Sequence, residues 1–190
     1  MPKKQNVPVP GHISELHAVG LATRKARGEA AEAVFLARAA TFGFGVAKPW
    51  GDSEPYDFIL DSGHNFWAVQ VKSTTRYAES RYRVKATGST DPYTRDQIDF
   101  LIAYIIPENL WYVVPSRELG TRKGLRFYPH GTTKSELEIY REAWCQLACP
   151  HDACGPSPIR VKRRCQQAGG GCPLGRNPQS DPPLRITLSP

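Results

Sequence analysis

The chain has 190 residues, of which 40% are hydrophobic, and it carries a formal net charge of +7. These values suit one domain with appended segments; no apolar stretch approaches the roughly 18 residues of a membrane span, and the first residues lack a secretory signal, so we expect a cytoplasmic protein. Residues 1–28 and 150–190 each carry a net +4 and residues 29–149 a net −1, a distribution that favours a polyanionic partner or, alternatively, solubilising ends.

Three regions follow in chain order. Residues 1–26 are predicted to form a basic N-terminal leader with the start of a helix, residues 27–147 a globular core, and residues 148–190 a basic Pro/Gly/Cys-rich tail. The composition of residues 14–42 predicts one or two helices, and Gly43 is the expected stop. A second, amphipathic helix is predicted over residues 135–147, where apolar side chains recur at helical spacing.

Between the two helices the chain predicts strands. Runs of β-branched and aromatic residues mark them at 45–48, 56–60, 66–74, 81–87, 100–106, 110–114 and 125–128. The run at 100–106 is apolar on both faces and is therefore expected to be a central strand. We predict an α/β fold in which a mixed β-sheet is flanked by helices.

The most informative feature is the pair of strands at 56–60 and 66–74. Their short connection, centred between Gly63 and His64, predicts a hairpin in which positions whose numbers sum to 127 lie opposite each other. Asp57 then faces Gln70. Because strand side chains alternate, Gln70 and Lys72 lie on one face of the sheet.

These side chains have the chemistry of a phosphodiesterase. Asp57, the amide oxygen of Gln70 and the backbone carbonyl of Val71 are hard oxygen ligands of the kind that Mg²⁺ prefers, and Lys72 can orient a water molecule. Glu32, from the preceding helix, supplies a second carboxylate, with Glu29 as a competitor for that role. The alternative is that Lys72, Asp57 and Glu32 are ordinary solvent-facing charges.

The motif resembles that of a known family. Tyr56-Asp57 followed by Gln70-Val-Lys72, with Gly28-Glu-Ala-Ala-Glu32 upstream, is similar to the PD-(D/E)XK nuclease superfamily, in the branch of homing-type endonucleases associated with bacterial group I introns. The segments 49–52, 97–100 and 104–115 carry the same likeness, which covers roughly residues 27–147.

The resemblance implies a restriction-endonuclease-like core, Mg²⁺-dependent cleavage of double-stranded DNA and a homo-oligomer. It also implies that Glu32, Asp57, Gln70 and Lys72 are the catalytic residues. The predicted metal ligands, from their oxygen chemistry, are Glu32, Asp57, Gln70 and Val71. The chain departs from the motif where Tyr56 replaces the proline and Gln70 the acidic residue.

Further side chains near this motif are candidates for DNA contacts. Basic residues neutralise phosphates, and hydroxyl groups donate hydrogen bonds to them. The candidate DNA-binding residues are Lys48, Ser73, Thr74, Arg76, Arg81, Arg83 and Lys85. The alternative interpretation is a sheet edge that uses charge to prevent edge pairing.

The tail carries a cysteine cluster, formed by Cys149, Cys154, Cys165 and Cys172. Four thiols in a basic segment are compatible with a Zn²⁺ knuckle, but no C-x₂-C spacing is present, so a metal-free basic tail remains an alternative.

The leading hypothesis for the function is a Mg²⁺-dependent DNA endonuclease. Three other functions stay open: a structure-specific, junction-type nuclease, a catalytically silent DNA-binding protein, and a functional tail on an inert scaffold.

Overall fold

The computed structural model describes residues 23–131 and 135–148. Within these ranges, none of the helices combines the length and the apolar character needed to cross a bilayer. The elements are α1 (Arg24–Thr41), β1 (Gly45–Ala47), β2 (Phe58–Asp61), β3 (Phe66–Thr74), β4 (Tyr77–Ala78), β5 (Arg81–Lys85), β6 (Phe100–Ile105), β7 (Leu110–Pro115), β8 (Gly124–Phe127) and α2 (Cys145–Ala148). Residues 1–22, which comprise most of the predicted leader and the first part of the predicted helix over 14–42, lie outside the described residues. So do residues 149–190 of the predicted tail, with its four candidate zinc ligands.

Helix α1 has clear boundaries. The side chain of Thr23 accepts a hydrogen bond from the backbone N–H of Ala26 at 3.1 Å, which caps the first turn. Gly43 follows the last turn with φ +79°, a conformation that glycine adopts without steric cost, so the predicted stop is confirmed. Phe35 and Ala39, one helical turn apart, are fully buried and turn this face toward the sheet.

The main sheet has five strands in the order β1-β2-β3-β6-β7. Strands β3 and β6 are parallel and the other pairs are antiparallel, so the sheet is mixed, as predicted. All six residues of β6 are buried, which confirms the prediction of a central strand covered on both faces. The α/β class expected from the sequence is therefore confirmed.

Each face of the main sheet has a different cover. Helices α1 and α2 pack on one face, and a second sheet of three strands, in the order β4-β5-β8, packs on the other. The inner side of the second sheet consists of Tyr82, Val84, Leu125 and Phe127. The sequence pattern predicted β5 and β8 as strands, but not that they form a separate sheet.

The prediction of one amphipathic helix over residues 135–147 is wrong. The chain there forms one 3₁₀ turn, Glu138–Tyr140, an extended step at Arg141, and the short helix α2. Leu137 and Tyr140 are buried with the second sheet, whereas Trp144 and Leu147 are buried with α1. The apolar stripe therefore crosses from one face of the main sheet to the other, which a continuous helix could not do.

The edge strand β7 stabilises this crossing. Glu142, with φ +47°, donates its backbone N–H to the carbonyl of Trp111 at 2.8 Å and accepts the N–H of Trp111 through Oε1 at 2.9 Å. The indole N–H of Trp144 donates to Oε2 of Glu142 at 2.8 Å. The segment thus satisfies hydrogen-bonding groups of the sheet edge, and these tertiary contacts override the local helical pattern.

Candidate active site

The β2–β3 hairpin brings Asp57 against β3. The pairs Phe58–Val69, Ile59–Ala68, Leu60–Trp67 and Asp61–Phe66 form in the predicted register. Asp57, just before β2, donates its backbone N–H to the carbonyl of Val69 at 2.9 Å. Its Oδ2 accepts the N–H of Val71 at 2.8 Å and a hydrogen bond from Nε2 of Gln70. The carboxylate therefore takes the place that a strand carbonyl would have in the ladder.

Burial and neighbouring charges set the acidity of Asp57. Loss of hydration raises the pKa of its carboxyl group above the ordinary value, and the negative charge of Glu32 raises it further. The backbone hydrogen bond from Val71, the charge of Lys72 and the hydrogen bond from Gln70 act in the opposite direction without cancelling the rise. The ionised state of Asp57 is therefore unfavourable unless a cation lies nearby.

Lys72 lies on the same face of the sheet, two residues after Gln70. Burial lowers the pKa of its amine, while the charges of Asp57 and Glu32 partly oppose this change. Its Nζ lies 5.6 Å from the centre of the Tyr93 ring, within the range of a cation–π contact. Asp57 and Lys72 therefore lie on one side of the sheet, close enough that each affects the ionisation of the other.

Tyr93 was missed at the level of sequence. It lies in the segment between β5 and β6, is 5% exposed, and donates its backbone N–H to the carbonyl of Ala86. Burial, followed by the charge of Asp57, raises the pKa of its phenol to about 12. The only local signal was an aromatic residue after a proline, which by itself does not distinguish a core residue from a site residue.

Glu32 approaches this group from α1. It follows the buried Ala31, and its side chain is 23% exposed and accepts a hydrogen bond from Nζ of Lys48 at 2.8 Å. Its charge affects the ionisation of both Asp57 and Lys72. The competitor Glu29 is 63% exposed and pairs with Lys25 at 3.9 Å, so its side chain points to solvent.

The structure thus brings all four predicted catalytic residues together. We call the group of Glu32, Lys48, Asp57, Gln70 and Lys72 the charged corner. Lys48 is the cation closest to Glu32, and the hydrogen bond and charge of Glu32 raise the pKa of its amine. The corner combines two carboxylates, an amide and two amines at one end of the β2–β3 hairpin.

The other predicted DNA-binding residues occupy two places. Ser73 and Thr74 end β3, and Oγ1 of Thr74 accepts the N–H of Arg76 at 3.3 Å. Arg81, Arg83 and Lys85 lie on β5 of the second sheet. Arg81 is paired with Glu79, and Nζ of Lys85 donates to the carbonyls of Gly88 and Ser89 at 3.1 and 3.3 Å.

The donor set at the corner fits a hard divalent cation. Nε2 of Gln70 lies between Oδ2 of Asp57 and the carbonyl of Val71, the latter at 3.2 Å, so an electropositive group already bridges two of the predicted ligand oxygens. Rotating the amide by half a turn would direct Oε1 of Gln70 to the same place. In residues 23–131 and 135–148 no three His, Cys, Asp or Glu side chains gather as a metal centre, so a cation here would depend on amide and carbonyl oxygens as well.

Comparisons with known proteins agree with this geometry. Residues 22–146 match the PD-(D/E)XK endonuclease family. A solved structure, that of the bacterial homing endonuclease I-Ssp6803I, is similar with a TM-score of 0.59 and 27% sequence identity, over 66% of this chain and 91% of that one. None of the curated proteins matches the chain.

The mixed sheet, with Asp57 and Lys72 together at one hairpin, and a family match over more than half of the chain identify a nuclease. The chain belongs to the PD-(D/E)XK endonuclease family. Its fold is the restriction-endonuclease-like fold expected from the sequence, and an endonuclease acting on DNA is the activity that these relatives support.

Proposed function

We propose that the protein is an endonuclease that uses Mg²⁺ to hydrolyse phosphodiester bonds of double-stranded DNA at the charged corner. The observation that carries the proposal is the placement of Asp57, Gln70 and Lys72 on one side of the β2–β3 hairpin, with Glu32 electrostatically coupled to them. This combination provides oxygen ligands for a cation and an amine beside them, which is what hydrolysis of a phosphodiester requires.

Each residue has a separate task in this proposal. Asp57, Glu32, the amide oxygen of Gln70 and the carbonyl of Val71 hold the cation. When bound, Mg²⁺ makes a water molecule more acidic and offsets negative charge on the phosphate. Lys72 orients the attacking water and stabilises the developing negative charge. Tyr93, under the Lys72 amine, positions it.

Lys48 has a different task because it is exposed and paired with Glu32. Its amine holds the Glu32 carboxylate near Asp57 in the metal-free protein and remains close to the phosphate when DNA binds. Lys48 thereby contributes both to the geometry of the carboxylates and to substrate binding. Ser73 and Thr74, at the end of β3, are proposed to donate hydrogen bonds to the same DNA strand.

The test is cleavage of supercoiled plasmid by the full-length protein in Mg²⁺ and in EDTA. We expect cleavage only in Mg²⁺, and a loss of about 10²–10⁴-fold in the Lys72→Met variant, the range associated with positioned groups that act on protons and charge. Lys25→Met is the matched control, since Lys25 is an exposed lysine on α1. Duplex and single-stranded oligonucleotides then test the preference for double strands.

Persistent cleavage in EDTA, or full activity of Lys72→Met, would contradict the proposal. Binding of duplex DNA without cleavage by the wild type would identify a catalytically silent binding protein instead. The predicted homo-oligomer stays a prediction, which sedimentation of the purified full-length protein addresses directly.

A further inference from the structure

The outer face of the second sheet is strongly basic. Because side chains alternate along β5, Tyr82 and Val84 point inward to the core, and Arg83 points outward. Arg126 pairs directly with Arg83 across β5 and β8 and is also exposed. Two arginines thus lie opposite each other on adjacent antiparallel strands, an arrangement that destabilises a sheet unless an anion compensates it.

A concavity of about 610 Å³ adjoins these arginines. Its lining includes the charged residues Arg83, Arg122, Lys123, Arg126 and Glu136. We call the four cationic residues of this lining (Arg83, Arg122, Lys123 and Arg126) the basic pocket. Among the described residues, four positive side chains therefore share the concavity with a single carboxylate, that of Glu136.

Most of this positive charge has no partner among residues 23–131 and 135–148. Arg122 lies 3.3 Å from Glu136, and both side chains are exposed. Arg83, Lys123 and Arg126 form no side-chain hydrogen bond or ion pair with another residue of the described ranges. The guanidinium group of Arg83 lies against β8 at Gly124, where a Cβ atom would be 3.7 Å from Nη2. Its planar fork is therefore held on the strand with donors available for a ligand.

The basic pocket lies on the same side of the main sheet as the charged corner. Gln70 and Lys72 pair in parallel register with Leu101 and Ala103 of β6, whose side chains pack against the second sheet. The side chains of Gln70 and Lys72 therefore point to the side on which the second sheet lies. The outer face of that sheet points away from the main sheet on this side, so the basic pocket lies on the side of the main sheet that carries the side chains of the corner.

We propose that the basic pocket binds backbone phosphates of a DNA segment that flanks the cleavage site. The inference rests on the proposed function, since it takes DNA as the ligand of the corner. It adds Arg122, Lys123 and Arg126 to the DNA-binding surface. Guanidinium groups match the geometry of phosphate oxygens and make paired hydrogen bonds to them, which explains why arginine predominates here.

The experiment measures binding without cleavage. The full-length protein is titrated into a long labelled duplex in EDTA over a range of NaCl concentrations, followed by fluorescence anisotropy. Each phosphate contact contributes about 0.9 to the slope of log affinity against log salt. We expect the Arg83→Ala/Arg126→Ala double variant to bind severalfold more weakly, with a slope that is shallower by about two.

Two further variants control for charge. Lys25→Ala/Arg117→Ala removes the same number of charges elsewhere and should keep the wild-type slope, because Lys25 lies on α1 and Arg117 follows β7 and pairs with Glu118. Arg83→Lys/Arg126→Lys retains the charges and should restore most of the slope. Equal slopes for the wild type and the alanine variant, or an equal loss in the control, would overturn the inference.

Other ligands give different results. If tripolyphosphate raises the unfolding temperature of the wild type but not of the alanine variant, while the DNA slopes are equal, the pocket binds a small polyanion and the DNA assignment is wrong. A change in oligomeric state on sedimentation, again with equal slopes, would assign the pocket to contact between copies and overturn it as well. Cleavage by the wild type is measured separately in Mg²⁺, so failure of this inference is distinguishable from failure of the proposed function.

Discussion

The charged corner and the basic pocket both concentrate charge, but in opposite ways. At the corner, Asp57 and Lys72 carry opposite charges and are partly buried close to each other, and burial raises the pKa of Asp57 and lowers that of Lys72. In the basic pocket, Arg83 and Arg126 are exposed and like charges face each other across two strands. The corner has the properties of a site for chemistry, and the pocket those of a surface for binding.

The difference in burial corresponds to the two proposed tasks, cleavage at the corner and DNA binding in the pocket. Partial burial makes the ionised state of Asp57 unfavourable, and a bound cation would stabilise that state. Exposed arginines contribute little to folding, but they release counterions when they meet a polyanion. Substitutions at the corner are therefore expected to change reactivity and stability, whereas substitutions in the pocket change affinity and its dependence on salt.

The largest expected effect is that of Asp57→Asn on cleavage. We expect a loss of about 10³-fold or more, because removal of a ligand charge takes away several kcal/mol of transition-state stabilisation. At saturating DNA, Arg126→Ala should cleave within about twofold of the wild type, since the pocket acts through binding. Single-turnover cleavage rates measure both variants, and comparable losses in the two would break the contrast between corner and pocket.

The next effect is on stability and its pH dependence. The pKa of Asp57 is raised in the folded chain, so the folded state binds this proton more tightly than the unfolded state does. The resulting contribution to the free energy of unfolding is complete below the unfolded pKa of about 3.9 and is lost as pH rises through the folded pKa. The metal-free Asp57→Asn variant does not lose this stability, because asparagine does not ionise. Its unfolding temperature should exceed that of the wild type by an amount that grows from about pH 4 toward neutrality and then levels off.

Thermal unfolding at a series of pH values in EDTA measures this difference. A gain of about 1 kcal/mol corresponds to roughly 2–4 °C for a chain of this size. Added Mg²⁺ should raise the unfolding temperature of the wild type and narrow the gap, because the cation stabilises ionised Asp57. A gap that shrinks as pH rises would show that the Asp57 carboxylate is stabilised rather than destabilised by its surroundings.

The smallest effect expected is that of Lys48→Met on metal binding. Lys48 donates a hydrogen bond to Glu32 at 2.8 Å, so its amine competes with a cation for that carboxylate. Removing it should tighten Mg²⁺ binding about fivefold, the equivalent of the ~1 kcal/mol upper range for an exposed ion pair. The Mg²⁺ concentration that half-saturates the thermal shift measures this effect, with Lys25→Met as the control. Weaker binding would show that Lys48 orients Glu32 more than it competes.

Sequence reasoning succeeded where contacts are local. The short connection around Gly63 defines the register of the β2–β3 hairpin, and a shift of one residue would have placed the apolar side chains on the wrong face. Asp57, Gln70 and Lys72 followed from that register. The stop of α1 at Gly43 was equally local, because it depends on the backbone conformation of one residue.

It failed where distant segments compete for the same backbone. Leu137, Tyr140, Trp144 and Leu147 are all buried, as an amphipathic helix would require, yet they belong to two different faces of the main sheet. The spacing of apolar residues reveals that they are buried, not what buries them. The hydrogen bonds between Glu142 and β7 decided the outcome.

The sequence by itself determined the hairpin and the placement of Asp57, Gln70 and Lys72 beside it, because strand alternation and a tight turn act over a few residues. Only the tertiary structure decided which helical carboxylate joins them, why Tyr93 lies under Lys72, and that β5 and β8 form a separate sheet with a basic outer face. Those features arise from contacts between segments far apart in the chain. Their energies depend on burial and on the sum of neighbouring charges, which exist only once the core has formed.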